Sequence, residues 1–305
     1  MRLLEQVKGD AVKVLISGAS GLIGTELVRQ LKASGDTPLR LVRRKARNSE
    51  EIEWNPNAGV LDSAALEGID AVVNLAGATT GKLPWTSKYK EEIISSRIDS
   101  TRTLVRAMAE CKNPPPVFIS GSASGIYGDR KDEVLTEDAG KGTGFLSDLA
   151  YAWEQEALKA NTRVVLARTT MVMSKKLGAL GKLLPLIKLG IGGPLGSGKQ
   201  WWAWISLEDE ARAIIHLIQN DSCSGPYNLT APEPATCADI VKGLAKALKR
   251  PAFFRVPAFL MNTLIGIAAQ ELLLCSQKMK SHRLEQTGFV FKHPTLVESV
   301  GYVLS

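Results

Sequence analysis

The sequence predicts an α/β protein: a doubly wound parallel sheet followed by a smaller, mainly helical C-terminal domain. Three observations lead there. Short apolar β-branched runs alternate with segments of helical spacing through the first half of the chain. A glycine cluster, Gly18 to Gly24, joins the first such run to the first helix. Beyond about residue 175 the alternation stops and a Gly/Pro/Trp-rich segment takes over.

Val12 to Ile16 is a short, mostly apolar, β-branched run, the pattern of a strand buried on both faces. Leu22 to Lys32 carries Leu22, Ile23, Leu27 and Leu31 at helical spacing and stops at Gly35. Leu39–Val42 and Ala71–Leu75 read as the next strands. Tyr89 to Cys111 reads as one long helix with Ile93, Ile94, Ile98, Leu104, Val105 and Met108 on its apolar side. After the break at Pro114–Pro116 come a strand at Val117–Ser120, a helix at Leu146–Leu158 and a strand at Val164–Ala167. Right-handed crossovers between such strands give a sheet covered on both faces, with a ligand crevice at the strand C-termini.

The expected organisation is a nucleotide-binding domain over 11–175, its sheet completed by part of 203–232, and a second domain from 176–202 and 233–305. A helix is expected near Leu207–Gln219, a polar loop over Gly225–Pro234 and helices over 238–287. Val256 to Cys275 is the most apolar stretch. It contains Asn262, Gln270 and Glu271, so it reads as a buried amphipathic helix, not a membrane span.

Composition narrows the class. Of the 305 residues 45% are apolar and 23% charged, which fits a globular chain with a sizeable core. The formal charge of +7 favours anionic partners, but no aromatic-interleaved basic cluster marks a nucleic-acid face. Four scattered cysteines and three scattered histidines suggest neither a disulfide framework nor a metal site. The polar start, Met1 to Asp10, does not read as a secretory signal, and a cytoplasmic protein is expected.

The chemistry starts at Gly18-Ala19-Ser20-Gly21-Leu22-Ile23-Gly24, directly after a strand and opening a helix. Glycines there let the backbone turn tightly and approach a pyrophosphate, and the helix N-terminus offers free N–H groups to the anion. This is the context of an NAD(P)-binding Rossmann fold. The second strand ends at Arg43-Arg44, where an NAD site usually places an acid; arginine suits the 2′-phosphate of NADP(H). Asn74-Leu75-Ala76-Gly77 follows the next strand, and Ser120-Gly-Ser122-Ala-Ser124-Gly-Ile-Tyr127-Gly128 the one after. A serine at that strand end can donate to a substrate oxygen as hydride moves.

Two tempting patterns fail. Tyr127-Gly-Asp-Arg-Lys131 spells Tyr-x-x-x-Lys, but that pair needs a helix and this segment reads as loop. Gly193 to Gln200 lacks the strand and the Ser/Thr of a phosphate-binding P-loop.

The order of these motifs resembles the extended short-chain dehydrogenase/reductases, such as NAD-dependent epimerase/dehydratases. A narrower resemblance is to an atypical subgroup of epimerase family, or nucleoside-diphosphate-sugar epimerase-like, proteins. It rests on Trp85-Thr86…Lys90, Ser96-Arg97…Thr101, Trp153-Glu154, Gly190 to Gln200, Trp204-Ile205 with Asp209, Gly225 to Pro232, and Gly288-Phe-Val-Phe291. The resemblance implies that the Gly18–Gly24 loop holds the diphosphate and Arg43 or Arg44 the 2′-phosphate. Leu75, Ala76 and Gly77 would line the adenine and ribose side, and Arg97 would stand where many members carry a cofactor-facing asparagine. Ser122 matches the active-site serine, with Tyr127 as the candidate proton donor. Lys199, Gln200, Trp202 and Trp204 are expected at the mouth of the substrate pocket.

The sequence departs from the family at the catalytic helix. Tyr151 stands where the tyrosine is expected, but position 155 is glutamine, and Lys159 lies two turns on, about 12 Å along the axis. The lysine that lowers the tyrosine pKa is therefore missing. Two functions remain open. One is an NADP(H)-dependent oxidoreductase or epimerase acting on a small polar or anionic molecule such as a sugar nucleotide, with no nucleic-acid or membrane partner. The other is an NADPH-binding regulatory or interaction protein, as the cell-division-inhibitor designation of some subgroup members implies.

Overall fold

A computed structural model describes residues 11–174 and 178–305. Met1–Asp10, and the domain boundary expected at 175–176, lie outside the described residues. The first strand, β1 (Lys13–Ser17), is followed by α1 (Leu22–Ser34), β2 (Thr37–Val42), β3 (Glu51–Glu53) and β4 (Ala71–Asn74). Then come α2 (Ser87–Glu110), β5 (Val117–Ala123), the short β6 (Val134–Leu135), α3 (Phe145–Ala157) and β7 (Arg163–Thr169). The second half holds β8 (Met171–Met173), α4 (Gly178–Lys188), β9 (Trp204–Ser206), α5 (Leu207–Gln219), β10 (Gly225–Leu229) and α6 (Cys237–Ala247). It ends with α7 (Ala258–Ile265), β11 (Lys278–Met279), α8 (His282–Gln286) and α9 (Leu296–Leu304).

The main sheet is parallel, in the order β10-β7-β5-β4-β1-β2-β3. The chain leaves β1 toward β2 on one side and returns to pair β4 on the other, so the order reverses between β1 and β4. Strand period sorts the core: Val14 and Ile16 face α1 and α5, while Leu15 faces the α2 side with Val72 and Phe118. A second core, under α4, α6 and α9, forms the C-terminal lobe.

Three elements differ from the sequence reading. The long helix starts at Ser87 because the Thr86 hydroxyl caps the Tyr89 N–H at 3.2 Å. The expected polar loop over Gly225–Pro234 instead begins with β10, registered on β7 from Gly225↔Val165 to Leu229↔Thr169. It is an edge strand, which tolerates Pro226, and its Asn228 is buried by tertiary hydrogen bonds. Val256–Cys275 is not one buried helix. It splits into α7 and a π-helical turn, Ala269–Leu274, separated at Gly266, and Phe259, Leu264 and Ile267 are exposed. No helix among the described residues is long and apolar enough to cross a membrane.

Candidate functional site: a dinucleotide crevice with an apolar helix face

The glycine loop packs as tightly as its composition demands. Gly18 has φ +69°, and a Cβ there would lie 2.5 Å from the Leu75 carbonyl oxygen. A Cβ on Gly24 would lie 2.3 Å from the Gly18 carbonyl oxygen. The Gly21 N–H donates to that carbonyl at 2.9 Å and closes the turn. Gly21 then caps α1 with no side-chain acceptor, leaving first-turn N–H groups at the crevice without a side-chain partner. Beneath the loop, the Ser17 hydroxyl donates to Asn74 Oδ1 at 2.5 Å and accepts from the Ala76 N–H at 3.2 Å. Asn74 Nδ2 and Trp153 Nε1 both donate to Thr101 Oγ1 at 2.9 Å. This buried floor ties β1, β4, α2 and α3 together.

The two arginines after β2 part company. Arg44 forks onto Glu51 of β3 at 2.7 and 2.8 Å. That fork, with the Arg47 N–H, holds the Glu51 carboxyl down at about 2. Arg43 is exposed and has no hydrogen-bond or ion-pair partner among the described residues. On the opposite wall, Arg97 Nη1 donates to the Ala78 and Ile93 carbonyls, both at 3.0 Å, and its guanidinium lies over the Trp153 ring. A Cβ on Gly77 would come within 3.0 Å of it. No carboxylate pairs with Arg97 among the described residues, and burial pushes its pKa down to about 10.

Ser122 and Tyr127 are both tied into a buried polar network. The Ser122 hydroxyl donates to Glu154 Oε1 at 2.6 Å, and Arg168 forks onto the same carboxylate at 2.8 and 3.0 Å. Arg168 Nη1 also donates to the Tyr127 hydroxyl at 2.8 Å, and that hydroxyl donates to Asn228 Oδ1 at 2.7 Å. Tyr127 is fully buried and Ser122 nearly so. Burial raises the Tyr127 pKa further. The expected proton donor is thus a member of a closed polar network. The next serine, Ser124, opens the 3-10 turn Ser124–Tyr127 at the end of β5. It is half-buried, and its hydroxyl makes no hydrogen bond among the described residues.

The catalytic-helix expectation also changes. Trp153 packs against Gly121, where a Cβ would meet its ring at 2.9 Å, and Glu154 bonds Ser122. These two contacts fix the rotation of α3. Tyr151 and Gln155 then point outward, Tyr151 beneath Lys141. The face toward the β5 loop carries Ala150 and Leu146, one and two turns before Glu154; the Leu146 Cβ is 3.1 Å from a Cβ built on Gly125. This face therefore carries leucine and alanine at i and i+4, neither of which can move a proton. Glu271, read from the sequence only as a polar residue of the apolar stretch, accepts from the Phe145 and Leu146 N–H groups at 2.8 and 2.6 Å and docks the C-terminal lobe on this helix end.

The expected substrate-side cluster is core. Gln200 Nε2 donates to the Leu195 and Leu273 carbonyls at 3.0 Å, Trp202 Nε1 to Leu273 at 3.0 Å, and Trp204 is fully buried. Lys199 alone of the four is exposed. A groove of about 530 Å³ lies away from the crevice, between α1 and α5. Its His216 and Arg212 are engaged by Thr287 and Asp209. No group of three metal-ligating side chains occurs among the described residues.

The family model for the NAD dependent epimerase/dehydratase family matches residues 14–230, from β1 through β10. The chain belongs to that family. A domain of unknown function, DUF1731, matches residues 256–300 of this epimerase/dehydratase family chain. An epimerase family protein of Mycobacterium leprae is 41% identical over 292 residues, covering 95% of this chain and 94% of the relative. The crystal structure of human epimerase family protein SDR39U1 (isoform 2) with NADPH superposes with TM-score 0.89 at 29% identity, covering 96% and 99%. A nucleoside-diphosphate sugar epimerase from Corynebacterium glutamicum matches with TM-score 0.79 at 31% identity, covering 97% of this chain and 58% of that longer one.

Proposed function

We propose that the protein is an NADP(H)-dependent oxidoreductase or epimerase of the extended short-chain dehydrogenase/reductase type, acting on a small polar or anionic molecule such as a sugar nucleotide. The cofactor part rests first on Arg43, a cation with no partner among the described residues, at the end of β2 where an acid would select NAD. Arg44 is committed to Glu51, which leaves the 2′-phosphate to Arg43. The cradle that a Cβ on Gly18 or Gly24 would fill supports a diphosphate over the α1 N-terminus. Arg97, buried without a carboxylate, supports an anionic group near Gly77. The NADPH in the human relative's crystal structure agrees with this choice, and the name of the Corynebacterium relative with the sugar nucleotide.

When bound, the nicotinamide supplies or accepts hydride. Ser124 is the hydroxyl at the β5 end free to donate to a substrate oxygen. Leu146 and Ala150 exclude water from that side but cannot move a proton, so proton transfer there falls to substrate or solvent groups.

Titration with NADPH and NADH, read by nicotinamide fluorescence, tests the reading. Preference for NADPH that disappears in Arg43→Ala supports it; equal or better binding of NADH overturns it. The apolar α3 face favours one second reading, an NADPH-responsive interaction protein. Tight NADPH binding with no oxidation across a carbonyl and sugar-nucleotide panel would favour that reading.

A further inference from the structure

The charge of the chain is not spread evenly. Residues 170–207 and 240–270 hold ten of the 38 Lys and Arg and none of the 31 Asp and Glu, so the rest of the chain is net acidic. These two stretches meet in the C-terminal lobe. Leu195 bridges Val256, the Gly196 N–H donates to the Val256 carbonyl at 2.8 Å, and Pro251 lies 3.4 Å from a Cβ built on Gly190.

The same surface carries large apolar side chains that none of the described residues covers. Leu189 is 73% exposed, Phe253 69%, Phe259 72% and Leu264 67%. Ile191 and Phe254 are exposed beside them, with the Phe253 and Phe254 ring centroids 4.5 Å apart. On α7, Met261 is buried while Phe259, Leu260 and Leu264 project outward. A monomer rarely leaves such a set uncovered. Lys188, Lys249, Arg250 and Arg255 stand among these residues in sequence. All four are exposed, and none makes an ion pair among the described residues.

We propose that this face of the C-terminal lobe binds peripherally to the surface of an anionic phospholipid bilayer. Projecting Phe and Leu enter the headgroup–acyl boundary, while unpaired Lys and Arg meet the lipid phosphates. A second copy of the chain would set cations against cations. A bilayer needs no shape complement to accept side chains projecting from a loop and a two-turn helix. The expectation of no membrane partner rested on the polarity of Val256–Cys275 as a span, and that polarity does not oppose a contact in the membrane plane.

The test is co-sedimentation of the full chain with vesicles of phosphatidylcholine alone and of phosphatidylcholine mixed with anionic phosphatidylglycerol. The protein pellets with the mixed vesicles, is released by high salt, and stays in solution with phosphatidylcholine. Arg250→Glu/Arg255→Glu lowers binding roughly tenfold or more. Phe253→Ser/Phe259→Ser lowers it comparably, with far-UV circular dichroism and melting unchanged in both variants. Equal pelleting with both vesicle types, or none with either, overturns the proposal. So does a dimer in sedimentation equilibrium that the Phe253→Ser/Phe259→Ser variant dissociates, since a second copy would then cover the face. Binding to an acidic protein but to neither vesicle overturns it as well.

Discussion

Glu154 of α3 accepts the Ser122 hydroxyl of β5 at 2.6 Å while Arg168 of β7 grips the same carboxylate with two nitrogens. A fully enclosed ion pair loses more when one partner goes than it contributes when whole. Glu154→Ala is expected to cost about 3–5 kcal/mol by chemical denaturation. Glu154→Gln, which keeps a carbonyl oxygen for Ser122, is expected to cost less. Equal loss in the two variants would show that the charge pair with Arg168, not the Ser122 bond, dominates.

Tyr127 stands in the same network. Tyr127→Phe leaves Asn228 Oδ1 and one Arg168 N–H without their partner, an expected loss of about 1–3 kcal/mol. Cofactor affinity should not move. A variant of full stability with altered NADPH binding would return Tyr127 to the site.

Arg43→Ala should weaken NADPH about tenfold or more, the loss of a charge-assisted contact, and leave NADH unchanged. Arg44→Ala should change the NADPH/NADH ratio much less, because its fork is spent on Glu51. Fluorescence titration of both variants separates the two.

Gly18→Ala is strained twice, by φ +69° and by a methyl 2.5 Å from the Leu75 carbonyl. An expected cost of about 1–3 kcal/mol should accompany loss of dinucleotide binding. Thermal melting with and without NADPH measures both, and a ligand-induced rise in melting temperature equal to wild type would refute the cradle.

Glu210 gives a pH dependence. It is fully buried on α5, accepts from Thr169 Oγ1 at 2.6 Å and has no partner for Oε2 among the described residues. Burial raises its pKa from 4.5 to about 8. Between those values the folded state holds a proton that the unfolded state has released. This group's contribution to stability is therefore present in full below about pH 4.5 and is lost as pH rises toward 8. Its size is on the order of a few kcal/mol. Glu210→Gln should flatten the melting temperature between pH 5 and pH 8, measured against wild type, and raise it at the alkaline end. An identical pH profile in the variant would place the carboxyl in contact with water.

The sequence by itself determined the strand–glycine loop–helix unit, the alternation of β1, β4, β5 and β7 with helices, and the arginines at the end of β2. Each is written in neighbouring residues, through the periods of two and 3.6 and the conformational freedom of glycine at 18. Tertiary structure decided the rest. Whether Tyr151 or Leu146 meets the β5 loop depends on the rotation of α3, and contacts about 30 residues apart, Trp153 on Gly121 and Glu154 on Ser122, set that rotation. Arg43 and Arg44 are alike until Glu51 arrives beside one of them. The apolar run around Phe259 looks like core until the lobe closes and Met261, not Phe259, turns inward. Local pattern gives an element its type, but only packing against distant partners chooses which face is buried and which is left to a ligand.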